Sequence, residues 1–576
     1  MLHALLPALL VAAPPAFEEA SERLGIGGIG ASRLAVADLN GDRRPDLVVA
    51  RERVFLNVAD PAAPLGFRFV EAPATLTKPG DDGVATYADL TNDGIPDAIA
   101  FRSIDEAKRL EREKAGDTSP YAWLQRGKGD GTFEPPVPIA ATSPATACAI
   151  GVGDVDRNGT NDLLVGNWYV AYGKRNDAFA ADLLLAKVAD GNVSFARAPL
   201  PEDGVAFDEE KDLGGRPIYG ALVAELVPRE RAQTPQLLTL AYGRRWNRLY
   251  MRTDAGYVDV APATGIDGDA ERNGAYPEGV SREAEKPFRS NGNTFDAAVG
   301  DIDGDGRFDL AIAEIAHWWA GPSSDRSRLL VAAPADNVAG TRFEPRAAYS
   351  LDRFDPTRHP AWNQGDLFVE LHDFDLDGRL DVLLASGDYP DPPPFDERLR
   401  LFAQRKDPNE NGLLLDDMTK AAGLDHVGCG QIAVADFDGD GRLDVVAGQS
   451  FNRFTPEMVA AAGGTPRLRL WLNRTATDAK AIELFLVGDP AQGIATQPYG
   501  AIVVLTPKGA AAPTVRQLVG PGGHAGKASE AIVHASLGNA ESAEVLVTWP
   551  CNPPRTTSHT LAPGRHVIRV PAQGAP

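Results

Sequence analysis

Residues 436–447 read DFDGDGRLDVVA, with aspartate at positions 1, 3, 5 and 9 of a short turn and an apolar run behind it. One tight turn carrying four carboxylates makes a hard, oxygen-rich site, and the apolar run reads as a buried strand. Five more stretches repeat the pattern: DLNGDRRPDLVV from Asp38, DLTNDGIPDAIA from Asp89, DVDRNGTNDLLV from Asp154, DIDGDGRFDLAI from Asp301 and DFDLDGRLDVLL from Asp373. The gap between Asp154 and Asp301 is about twice the others, and midway lies VAELVPRERAQTPQLLTLAYG. There Glu225 takes the first position and the remaining acids are gone, which reads as a seventh, degenerate copy.

A second element recurs out of phase, an aromatic or leucine followed by small and acidic residues, at Phe69, Phe133, Phe195, Tyr257, Phe343 and Leu415. Phe17 supplies one more before the first acidic turn. Each unit then holds about four short strands, the content of a propeller blade. The count closes if the Phe17 strand completes the last blade, which would leave no open sheet edge. The expectation is an all-β chain, a seven-bladed β-propeller over 17–475, with six or eight blades as alternatives. From about 480 to 572 the runs AIELFLVG, AIVVLTP, TVRQLV, AEVLVTW and HVIRV lack acidic turns and read as a separate small β-sandwich-like domain.

The pattern D-x-[DNT]-x-[DN]-x-x-x-D suits calcium, which takes about six to eight oxygen ligands in flexible geometry. Zinc would ask for His or Cys, absent from these turns, and magnesium resists dehydration. The candidate ligands of the first turn are Asp38, Asn40, Asp42 and Asp46 with the carbonyl of Arg44; of the second, Asp89, Thr91, Asp93 and Asp97 with Ile95. The third offers Asp154, Asp156, Asn158 and Asp162 with Thr160, and the fourth Asp301, Asp303, Asp305 and Asp309 with Arg307. The last two offer Asp373, Asp375, Asp377 and Asp381 with Arg379, then Asp436, Asp438, Asp440 and Asp444 with Arg442. An EF-hand is excluded, because its bidentate Glu at position 12 is replaced by Val49, Ala100 or Ile312, and strands rather than helices flank the turns. Six calcium ions would offset more than half of the turns' twenty-one aspartates, which marks the metal as structural.

These turns resemble the FG-GAP or VCBS repeats of the integrin α-subunit propeller and of many secreted bacterial proteins. The C-terminal segment is similar to the ASPIC/UnbV domain that follows such repeats in the cartilage acidic protein family. The residues that carry this second resemblance are YGAIVVL from Tyr499, HASLG from His534 and VLVTWP ending at Pro550. The family's Asn-Arg is Gln497–Pro498 here, and its Trp-Pro-Ser-Gly is Trp549–Pro550–Cys551–Asn552. The resemblance implies an extracellular, calcium-dependent binding protein.

The rest of the sequence bounds the function. A net charge of −23 opposes binding to nucleic acid or anionic membranes. Cys148, Cys429 and Cys551 form no C-x-x-C and read as buried apolar residues. Residues 1–16, MLHALLPALLVAAPPA, resemble a secretory signal without its basic start, and no stretch is long enough to span a bilayer. The expected location is secreted, periplasmic or at the cell surface.

Aromatics gather in the segments that follow each second strand, on the face opposite the acidic turns: Trp168, Tyr169, Trp246, His317, Trp318, Trp319 and Tyr389, with Trp362 on a connection reaching the same face. Such residues suit sugar rings or a protein partner, or else cap the core. The leading expectation is a non-catalytic binding or adhesion module for carbohydrate or extracellular protein. The alternative is a carbohydrate lyase or dehydratase, for which His317, His359 and Asp366 are the testable cluster. GPGGHAGKAS from Gly520 has the wrong spacing for a phosphate-binding loop.

Overall fold

Apolar residues fill both faces of the strands that flank each acidic turn: Leu34–Ala37 and Asp46–Val49 are buried throughout. Farther out the pattern alternates, as in Phe67–Glu71, where Phe67 and Phe69 face inward and Arg68 and Glu71 face solvent. This gradient, from fully buried to one-sided strands, marks sheets packed edge-in around a common centre. A computed structural model describes residues 14–572, apart from 143–145, 209–210, 269–292, 320–324, 352, 354–360, 391–395 and 407–412.

The chain is all-β with curled sheets, antiparallel among the described residues except where Ala481–Val487 pairs parallel with Gly564–Arg569. The first repeat is a four-strand meander of Leu34–Ala37, Asp46–Val49, Arg53–Ala59 and Phe67–Glu71, and the acidic turn joins its first two strands. Six further sets follow the same plan. Their first strands are Val84–Ala88, Ala147–Gly153, Ile218–Ala224, Asn293–Gly300, Trp362–His372 and Cys429–Ala435. The degenerate copy around Glu225 is thus a complete set, continuing through Gln236–Ala241, Arg248–Thr253 and Gly256–Asp259.

The seventh set lacks a fourth strand of its own. Phe17–Glu19 supplies it, pairing antiparallel with Arg469–Asn473 in the register Phe17↔Asn473 and Glu19↔Trp471. Each first strand lies against the next first strand, and Cys429–Ala435 returns to Leu34–Ala37. The recurrent aromatic element falls in the fourth strands, at Phe69, Phe195, Tyr257 and Phe343.

Two small sheets form the C-terminal unit. One orders Val533–Ser536, Ala481–Val487 and Gly564–Arg569; the other orders Thr514–Gln517, Ile502–Pro507, Ala543–Trp549 and Arg555–Leu561. Trp549 is fully buried between them. This unit sits on the acidic-turn ends of the repeats and sends one loop into their centre. Among the described residues no helix is long and apolar enough to cross a membrane.

Candidate metal centres and the channel face

The six acidic turns share one backbone solution. Position 6 is left-handed in all of them, with φ between 63 and 91°, which explains the glycine at 94, 159, 306, 378 and 441; Arg43 adopts it without that freedom. The bend lets the position-1 carboxylate accept from the position-6 N–H, at 2.8 Å for Asp38 with Arg43, 2.8 Å for Asp89 with Gly94 and 2.8 Å for Asp436 with Gly441.

Position 9 is the hub. Asp46, Asp97, Asp162, Asp309, Asp381 and Asp444 are fully buried. One oxygen of each accepts from the position-2 N–H, as in Leu39 to Asp46 at 2.9 Å and Phe437 to Asp444 at 2.8 Å. The other accepts from an N–H in or just beyond the third strand, as in Asn57 to Asp46 at 2.8 Å and Asn473 to Asp444 at 2.7 Å. Each of these aspartates therefore ties its turn to the third strand of the set. Position 5 pairs with arginine instead. Asp305, Asp377 and Asp440 pair with the arginine two residues on, at 307, 379 and 442, and those guanidiniums also reach third-strand carbonyls.

The convergent acids are then positions 1, 3 and 9. In Asp154/Asp156/Asp162, Asp301/Asp303/Asp309, Asp373/Asp375/Asp381 and Asp436/Asp438/Asp444, one oxygen per residue lies within 4.8 Å of the others. The first two turns have Asn40 and Thr91 at position 3 and so bring fewer carboxylates together. Burial pushes Asp46, Asp89, Asp154 and Asp309 up to about 7 and Asp373 up to about 8. Asp301, Asp303, Asp373 and Asp438 each keep a buried Oδ1 with no hydrogen-bond partner, as does the Thr91 hydroxyl. Buried oxygens without donors are costly unless a cation meets them, so the residues present fit a hard divalent ion.

The degenerate set solves the same problem without acids in the turn. Gln236 takes over the hub, its Oε1 accepting from Leu226 and Val227 N–H at 2.7 Å each. Glu225, 3% exposed, is met by the guanidinium of Arg157 from the preceding turn and by Arg229 at 3.2 Å. Arginine stands here where the other turns would hold metal. Sequence reasoning found Glu225 but missed Gln236, because this connection is longer and the nine-residue spacing is lost.

The C-terminal unit covers these turns. Thr496 and Gln497 bond to Asn92 and Asp89, Arg157 donates to the Pro550 carbonyl, and His534 meets the Gly441 carbonyl at 3.0 Å. Arg565 pairs with Asp436 at 3.0 Å, and Ser536 donates to the Leu376 carbonyl at 2.6 Å. Its glycine-rich loop, 519–530, enters between the seven first strands and touches all of them. Val36 donates to Ala528 at 3.0 Å and Val152 to Pro521 at 2.9 Å, while Gly526 lies against Ala85. His524 pairs in β register with Ala149 and Gly220, and its N–H donates to Asp296 at 3.1 Å. Lys527 Nζ is 2.8 Å from Asp296 Oδ2 and 3.6 Å from Glu370 Oε1, and Glu530 donates to Val434 at 3.1 Å. A cavity of about 170 Å³ remains beside this loop, lined by Glu370, Asp373, Arg516 and Lys527 among others.

The segments after the second strands lie on the opposite face. Trp168 packs on Tyr169 at 4.9 Å and Tyr219 at 4.2 Å; His317 stacks on Trp319 at 5.3 Å; Arg453 lies 4.6 Å over Tyr389. Trp318 is 38% exposed, Trp246 is half-buried, and Trp362 at 3% is part of the core. Asp366 is fully buried and held by Arg353 at 2.7 Å and by the Ser327 hydroxyl, while His359 lies outside the described residues.

Residues 373–447, which span the last two acidic turns, match the FG-GAP-like repeat family. Among solved structures the chain is similar to a protein from Lactobacillus plantarum, at 10% identity over 69% of this chain and 85% of the other, with a TM-score of 0.35. It is also similar to the V. cholerae biofilm matrix protein Bap1, at 10% identity over 81% of this chain and 92% of the other, with a TM-score of 0.29. No curated protein matches the sequence.

Proposed function

We propose that the chain is a secreted, seven-bladed β-propeller stiffened by calcium in six acidic turns, and that it works as a non-catalytic binding or adhesion module for carbohydrate or protein. The propeller occupies 17–475 and an ASPIC/UnbV-like unit 480–572. The observation that carries the reading is the contrast within the repeats. Four turns gather three carboxylates, three of them with buried, donor-less oxygens, and the one set without such a cluster meets its single acid with arginine. A cation is thus part of the repeat's design, supplied from solution in six copies and by the chain in the seventh.

Calcium would be held by positions 1, 3 and 9 and the position-7 carbonyl, and it would neutralise charge that otherwise opposes the turn. At a free concentration tenfold above its dissociation constant, each ion would stabilise by about 1.4 kcal/mol, or about 8 kcal/mol for six independent sites. The face opposite the turns, rich in Trp and Tyr, is left for the partner. The test is thermal unfolding of the full chain in calcium and in excess chelator. With an unfolding entropy near 1.2 kcal/mol/K for a chain of this size, chelation should lower Tm by about 7 °C. An unchanged Tm would remove calcium from the account.

A further inference from the structure

The three turns with aspartate at all four positions are also the three that arginine screens most heavily. At position 3 each meets a guanidinium from its own repeat: Arg346 lies 3.3 Å from Asp303, Arg405 2.8 Å from Asp375 and Arg474 2.7 Å from Asp438. At position 5 each meets the arginine two residues on. At position 1 the C-terminal unit supplies the charge. Arg565 is 3.0 Å from Asp436, and Arg516 pulls Asp301 and Asp373 down against the burial that raises them. Three of the four carboxylates in each of these turns therefore face a cation of the chain.

The third turn is built differently. Asp154, Asp156 and Asp162 converge as the acids of the richer turns do, with one oxygen of each inside 4.8 Å of the others. Among the described residues none of the three is in an ion pair, and Arg157 within the turn is directed to Glu225. The first turn has no ion pair either among the described residues, and the second has one, Arg126 with Asp93 at 2.8 Å.

Counting acids ranks the fully acidic turns as the strongest calcium sites; counting ion pairs reverses the order. A divalent ion entering a screened turn must share its carboxylates with guanidiniums or displace them. Two like unit charges about 4 Å apart oppose each other by about fivefold in an equilibrium constant even in water, and by more where one is divalent or water is excluded. Asp375 is fully buried and Arg405 only 19% exposed, so that pair lies well out of solvent. We propose that these arginines set the order of calcium affinity: the third turn is the tightest site, and the three fully acidic turns form a weaker class. This rests on the calcium reading and assigns the affinity-setting residues to it. Arginine keeps the weaker turns neutralised when they are empty, so they are the sites that respond to a change in free calcium while the third turn stays filled.

Calcium titration of the full chain by equilibrium dialysis tests it, with calcium alone as the probe. Wild type should bind in two classes about tenfold or more apart in dissociation constant. Asp156→Asn should lower the count in the tight class by one. Arg405→Gln should tighten one site of the weak class by about fivefold or more, and Arg346→Gln, at a side chain 52% exposed, should tighten another by about threefold. Tm in saturating calcium, compared with wild type, shows whether each variant is folded; if Arg405→Gln is not, Arg346→Gln carries the test. A weak class that is unchanged in these arginine variants, or that weakens because the guanidinium orients its aspartate for the ion, overturns the proposal. So does loss of a weak site rather than a tight one in Asp156→Asn. Six equivalent sites would overturn it and leave calcium in the turns, whereas no bound calcium would remove the calcium reading and the proposal together.

Discussion

Replacing Lys527 by methionine tests whether the glycine-rich loop holds the first strands together. Its ammonium is 8% exposed and sits 2.8 Å from Asp296, itself fully buried, and 3.6 Å from Glu370 at 11%. Methionine keeps the stem and deletes the charge, leaving two buried carboxylates without their cation. Breaking a buried pair in this way costs about 3–5 kcal/mol, or about 3–4 °C of Tm at the unfolding entropy expected for this size. The loss should depend on pH. Burial pushes Asp296 up to about 6 even with the lysine beside it. In Lys527→Met it rises further, so Asp296 takes up a proton in the fold at a pH where the unfolded chain does not. A group raised in this way contributes its stability at low pH and loses it as pH rises through the folded value, by up to about 1.4 kcal/mol per unit. The gap between wild type and Lys527→Met, measured by urea denaturation in calcium, should therefore be wide at pH 8 and clearly narrower at pH 5. A gap below about 1 kcal/mol at pH 8, or the same gap at both values, would refute the reasoning.

Three further outcomes follow from the same geometry. In chelator, Asp309→Ala should cost about 2–5 kcal/mol by stranding the N–H groups of Ile302 and Ala332, 2.8 and 2.7 Å away, whereas Asp305→Ala, at a partly exposed ion pair, should cost under about 1 kcal/mol; equal losses in chemical denaturation would contradict the hub role. Glu225→Gln strands the buried Arg157 and should cost about 3 kcal/mol equally in calcium and in chelator, since that set uses arginine; a loss seen only in calcium would count against it. His426 is held neutral at about 4 by burial, with Nε2–H donating to the Gly448 carbonyl at 2.8 Å. Between pH 6.5 and about 4 only the unfolded chain takes up that proton, so stability falls as pH drops, and His426→Gln should flatten this acid limb of the Tm profile by about 1.4 kcal/mol per unit. An unchanged limb would place the proton elsewhere.

The repeats were legible because their determinants are local. Nine-residue spacing fixes the turn, the left-handed position 6 calls for glycine, and the position-9 aspartate reaches only to its own third strand. Even the pairing of Phe17–Glu19 with the last set could be counted from recurring strands. The glycine-rich loop was not legible, because its role lies in contacts such as Lys527 with Asp296, 231 residues apart. One signal was present in the composition. At Gly523, with φ of 83°, an added Cβ would fall 1.8 Å from an Asp296 oxygen, and at Gly520 it would fall 2.2 Å from the Val152 carbonyl. Four glycines in seven residues marked a segment that must lie against other backbone, though not which backbone. The aromatic face was legible only in part, since sequence alone does not separate exposed Trp318 from buried Trp362.

The C-terminal unit's position over the acidic turns links its seating to whatever cation they hold. Arg565 pairs with Asp436, and Arg516 is close enough to Asp301 and Asp373 to pull both carboxylates down against their burial. Those are position-1 residues of the last three acidic turns. Of the first three turns, the second and third meet neutral groups or backbone, such as Thr496, Gln497 and Gly493, and the first is met by Arg565 at the Arg43 carbonyl, 3.2 Å away. A metal in the last three turns would share its carboxylates with arginines from the cap, so cap and metal relieve the same charge and each partly replaces the other. Among the described residues no cation of the cap pairs with a carboxylate of the first three turns. Loss of a cation from the first three turns would therefore go uncompensated by the cap, whereas in the last three Arg565 and Arg516 would offset part of it.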